Sequence, residues 1–76
     1  MLDQVKQVIQ EQLGVDAQSI TADTALLTDL NLNSLELVEL VCAFEIAFDI
    51  VVPEKDIHRF VTVGDIVAYL NDRLPH

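Results

Sequence analysis

The sequence predicts an all-α fold: a small four-helix bundle of three longer helices and one short helix, with a long loop between helices one and two. Three observations carry this expectation. Apolar residues recur at three- and four-residue spacing in three separate segments, two helix starts carry reciprocal capping signals, and only two Gly and two Pro interrupt the chain. At 76 residues the chain reads as a single domain, 1–76, with 51% hydrophobic residues for one modest core.

Leu2, Val5, Val8, Ile9 and Leu13 share one face, which predicts a first helix over 3–13, stopped by Gly14. Residues 15–32 carry Ser, Thr and Asp among Ile20, Leu26, Leu27, Leu30 and Leu32. They read as a long connection whose apolar side chains anchor it to the core. Asn33 is the expected N-cap of a second helix over 34–48, with Glu36 placed to reach back to its backbone N–H. Ile50-Val51-Val52 is β-branched but too isolated to build a sheet, so it reads as a connection with buried side chains. Pro53, at a first helical position, opens a short third helix through about Arg59. Thr62 and Asp65 repeat the capping pattern before a last helix, whose buried stripe is Val63, Ile66, Val67, Leu70 and Leu74.

Charge narrows the function. Thirteen Asp and Glu against four Lys and Arg give a formal net charge of -9, which repels phosphate backbones and anionic lipid heads and favours basic protein surfaces as partners. Solubility alone is the plainer explanation of such acidity. The single cysteine, Cys42, excludes an internal disulfide, and no basic N-region, apolar leader or membrane-length run is present. The expectation is a cytoplasmic monomer that neither binds nucleic acid nor inserts stably in a membrane.

The second helix carries two apolar stripes. Leu37, Leu40, Val41, Phe44 and Phe48 form the stripe expected in the core, while Leu35, Val38, Cys42 and Ile46 form another roughly 140° away. Glu36 and Glu39 flank the second stripe on one side, Glu45 and Asp49 on the other. An exposed apolar strip with an acidic rim is a docking surface for a basic partner. The alternative is that Val38 and Ile46 lean into the core.

Asp29-Leu30-Asn31-Leu32-Asn33-Ser34-Leu35 resembles the attachment segment of acyl carrier proteins, where a D-L-G-x-D-S-L pattern opens an acidic second helix. Val5-Lys6-Gln7-Val8-Ile9, Gln12-Leu13-Gly14-Val15, Phe44-Glu45, Phe48-Asp49, Pro53 and Thr62-Val63 extend the resemblance over nearly the whole chain. It implies that Ser34 receives 4'-phosphopantetheine from coenzyme A through a separate magnesium-dependent phosphopantetheinyl transferase. The arm then carries acyl groups as thioesters between enzymes of fatty-acid, polyketide or related synthesis, and the carrier itself is no enzyme. The implied docking residues for acyl-processing enzymes with basic patches are Asn33, Leu35, Glu36, Val38, Glu39, Cys42, Glu45 and Ile46. An acyl chain would tuck between the helices, with Leu40, Phe44, Ile57 and Val63 as candidate lining.

The match departs from the family in two places near the serine. Asn33 replaces Asp, keeping the cap but losing a charge that pairs with the transferase, and Asn31 replaces Gly at a turn where Asn tolerates a left-handed backbone. Farther along, Ile46, Ala47 and Val51 stand where fatty-acid-synthesis members tend to be acidic. These replacements imply a specialised carrier with its own partner set, outside housekeeping fatty-acid synthesis.

Other readings remain. Asp29, Asn31 and Asn33 mimic the opening ligands of an EF-hand calcium loop, but its sixth-position Gly and twelfth-position Glu are Ser34 and Leu40 here. An acidic helical interaction module, or a decayed carrier without the arm, accommodates Asn33; peptidyl and D-alanyl carriers share the same arm. His58 and His76 lack nucleophile or metal spacing, His58 reads as a surface residue, and Cys42 has no positive neighbour to activate it.

Overall fold

The computed structural model describes residues 1–74; His76 lies outside the described residues. Helices α1 (Leu2–Leu13), α2 (Ser34–Phe48), α3 (Glu54–Ile57) and α4 (Val63–Arg73) follow one another, with a 3-10 turn at Ala17–Ser19 inside the long first loop. The four-helix expectation holds, and the bounds of α2 are those read from the sequence.

Local chemistry explains three of these boundaries. Gly14 ends α1 at φ 73°, a conformation that costs glycine little, and its N–H donates to the carbonyl of Gln10. Both expected capping boxes form, at Asn33 with Glu36 and at Thr62 with Asp65. The Asp65 carboxylate accepts the backbone N–H groups of Val61 and Thr62, each at 3.0 Å, and these bonds hold it below the usual carboxylate range.

The core joins α1, α2 and α4 through Val5, Ile9, Leu40, Val41, Phe44, Val63, Ile66 and Leu70, all buried. The long loop is fastened at both side chains and backbone. Ile20 and Leu26 are fully buried, Leu32 nearly so, and Leu30 half-buried. Leu27, expected among these anchors, instead remains 46% exposed. Ala25 and Thr62 form an isolated antiparallel bridge, with Leu26 N–H donating to Val61 and Val63 N–H to Thr24. Gly64 completes the seam: its N–H reaches the Ala22 carbonyl at 2.8 Å, and a Cβ there would sit 3.0 Å from the same oxygen.

Two local expectations are corrected. Val51 is 78% exposed whereas Val52 is buried, its backbone N–H donating to the Glu45 carboxylate. Pro53 serves as the N-cap of α3 with ψ 143°, and the helix ends at Ile57 rather than Arg59. Tight turns close it early: Arg59 N–H donates to Asp56 and Phe60 N–H to Ile57, which swings Phe60 into the core.

Candidate functional site

Ser34 is the first residue of α2, and its side chain is exposed. The preceding loop fixes where that hydroxyl stands. Asp29 accepts the Ala25 N–H at 2.8 Å, and the Ala25 carbonyl in turn accepts from the N–H groups of Asp29 and Leu30. Asn31 then takes a left-handed backbone, φ 56°, as expected for the residue standing in for Gly, and Leu32 pins the segment to the core. Asp29 and Asn33 thus spend their side chains on backbone groups of the loop and helix.

The helix start is electrostatically suited to an anion. Ser34 and Leu35 supply the first two amides of α2, which have no intrahelical acceptor, and the helix dipole adds partial positive charge there. A cavity of about 300 Å³ opens beside the serine. Ser34 shares its lining with Leu27, Leu37, Ile57, Phe60 and Val61. A phosphodiester on an exposed first-turn oxygen, followed by an apolar cargo, therefore fits the residues present.

Of the four side chains expected to line such a space, Ile57 alone reaches this cavity. Leu40, Phe44 and Val63 are core residues, each no more than 2% exposed. Leu27, Phe60 and Val61 were not legible as lining, because the bridge that brings the loop against the start of α4 has no periodic signature. His58 is an exposed surface residue, as expected, and also borders the cavity.

The second stripe of α2 faces solvent. Leu35 is 67% exposed and Ile46 84%, Val38 and Cys42 are exposed, and the core stripe from Leu37 to Phe44 is buried. Asn33 and Glu39 lie at the surface beside it, with Glu36 half-buried in the cap. Glu45 is also half-buried; its carboxylate accepts the Val52 N–H at 2.9 Å. Asp49 closes the helix in a left-handed conformation, φ 54°. Among the described residues no helix is long and apolar enough to cross a membrane.

Comparison with known proteins agrees with this geometry. The family described as "Phosphopantetheine attachment site" matches residues 3–70. An acyl carrier protein of Akkermansia muciniphila is 44% identical over 68 residues, covering 90% of this chain and 85% of that one. Those of Thermotoga maritima and Chlamydia felis are 42% and 41% identical, covering 97% and 93% of this chain and 91% of each relative. With one family signature across most of its length and such relatives aligned over most of theirs, this chain belongs to the acyl carrier protein family, and its cofactor is 4'-phosphopantetheine.

Proposed function

We propose that Ser34 is the attachment point of the phosphopantetheine arm and that the chain is a cytoplasmic carrier, not a catalyst, of acyl intermediates in fatty-acid, polyketide or related synthesis. The observation that carries this reading is an exposed hydroxyl at the capped start of α2, beside an apolar cavity. When bound, the group supplies a thiol on a flexible arm that holds an acyl chain as a thioester. Everything else falls to side chains of the protein. The amides of Ser34 and Leu35 face the phosphodiester, the Asn33 cap fixes their direction, and Leu27, Leu37, Ile57, Phe60 and Val61 exclude water from a cargo. Each methylene so buried contributes about 0.8 kcal/mol, enough over several carbons to favour shelter while permitting release.

The exposed strip supports docking along α2 through Asn33, Leu35, Glu36, Val38, Glu39, Cys42, Glu45 and Ile46. Its acidic members would guide basic patches of a transferase and of acyl-processing enzymes, and its apolar members would make the close contact. Ile46 and Val51, both more than three-quarters exposed, support a specialised partner set.

The direct test is incubation with coenzyme A, magnesium and a broad-specificity phosphopantetheinyl transferase, followed by intact mass measurement. The expected result is one added arm, mapped to Ser34 and absent from Ser34→Ala. No addition, from this transferase or from that of the native host, would leave an acidic interaction module or decayed carrier as the better reading.

A further inference from the structure

Among the described residues Asp56 is the one charged side chain that the fold buries, at 6% exposure. Three groups converge on its carboxylate. The Tyr69 hydroxyl donates to Oδ2 at 2.9 Å, Arg73 Nη2 lies 3.6 Å from the same oxygen, and Arg59 Nη1 lies 3.9 Å from Oδ1. The chain has only four Lys and Arg against 13 acidic residues, so half of its lysine and arginine cations gather on one carboxylate. Tyr69 and Arg73 both belong to α4, and the Arg73 guanidinium lies 4.4 Å from the centroid of the Tyr69 ring. Burial and the bond to Asp56 hold the Tyr69 phenol above its usual pKa.

The cluster acts on a weak element. With four residues, α3 is too short to maintain its own shape, so its placement depends on what it is tied to. Immediately after Asp56 come Ile57, His58, Phe60 and Val61, all of which line the cavity beside Ser34. Phe60 also meets Tyr69 edge to face, with ring centroids 5.1 Å apart. One carboxylate therefore joins α4 to the wall of the cavity.

We infer that Asp56, Tyr69 and Arg73 form a clasp that positions this wall and so sets how fully an acyl cargo is hidden. They are positioning residues: none of the three lines the cavity, and they act through the residues that do. The cargo half rests on the assignment of Ser34 as the attachment point, whereas the clasp belongs to the unloaded chain as well.

Two measurements separate these halves. In the unloaded protein, amide hydrogen exchange at residues 54–60 should rise about tenfold or more in Asp56→Ala, with α1 and α2 keeping their protection. Asp56→Asn, which keeps an acceptor for Tyr69, should lie between Asp56→Ala and wild type. Tyr69→Phe should loosen the same residues while its ring keeps its place on Phe60. In protein loaded from octanoyl-coenzyme A, cleavage of the thioester by hydroxylamine should run at least about threefold faster in Asp56→Ala and follow the same order. Exchange that rises equally in every helix would assign the cluster to global stability and overturn the clasp. Unchanged exchange at 54–60 would overturn it too, and faster exchange with unchanged cleavage would remove its role toward cargo. Failure of wild type to take the octanoyl arm would overturn the Ser34 assignment, with the exchange result standing by itself.

Discussion

Asn33 and Glu36 each satisfy the other's backbone: the Asn33 side-chain oxygen accepts the Glu36 N–H at 2.8 Å, and the Glu36 carboxylate accepts the Asn33 N–H at 3.1 Å. The amides of Ser34 and Leu35, between the two, are thereby left facing outward at the helix tip. Asn33→Ala breaks one half of this exchange and should cost about 1 kcal/mol, or about 4–8 °C in melting temperature. Asn33→Asp keeps the acceptor and adds a charge favoured by the helix dipole, so its melting temperature should match or exceed that of wild type. If the missing charge slows modification, Asn33→Asp should also take the arm faster in a timed mass assay, and equal rates would discard that account.

Asn31 is the second departure from the family pattern, and its φ of 56° shows why the change is tolerated. Asn31→Gly should leave the stability within about 0.5 kcal/mol of wild type. Asn31→Val places a β-branched side chain in left-handed backbone and should cost about 1–2 kcal/mol. If Ser34 bears the arm as proposed, its loading should slow with it, since Asn31 sets the approach of the chain to the capped helix. Equal thermal stability for all three proteins would mean the turn can relax without loss.

Much of this was legible in the residues because it is local. A capping pair, a helix-ending Gly and a left-handed Asn are set by atoms within a few positions, and both boxes appear where their spacing placed them. The buried and exposed stripes of α2 follow from helical period alone. What escaped was tertiary. Leu27 and Val61 stay exposed beside the cavity because the bridge between Ala25 and Thr62 carries their segments together, and no repeat in the sequence encodes that pairing. Asp56 gave no signal either, since its three partners lie at separations of 3, 13 and 17 residues without a common motif.

Asp65 should make the protein sensitive to acid. Its carboxylate is held below the ordinary range chiefly by the Thr62 and Val61 N–H groups. A folded-state pKa below the unfolded value means the contribution is present above about pH 4 and is lost as pH falls through the folded value. In melts from pH 7 to pH 2, wild type should therefore be more stable than Asp65→Asn near neutrality, and the gap should close in acid. A gap that stays constant across the range would show that the charge of Asp65 is not what the cap uses.

Ile46 and Val51 test whether the docking face selects its partners. They are 84% and 78% exposed, at and beyond the far end of α2, and Ile46 lies about 18 Å along the axis from Ser34 at 1.5 Å per residue. If basic patches of a housekeeping fatty-acid system need acidic groups there, wild type should be a poor substrate for its malonyltransferase. Ile46→Glu with Val51→Glu should lower the KM for malonyl transfer onto the loaded carrier, by about threefold to tenfold at low salt. The gain should shrink as ionic strength rises, because steering by exposed charges is screened over about 10 Å at 0.1 M salt. Changes at two exposed positions should leave the melting temperature nearly unaltered, so a shift in KM would report recognition rather than folding. A KM that is the same for both carriers at every salt concentration would show that these side chains do not discriminate among partners, and the specialised reading would lose its structural basis.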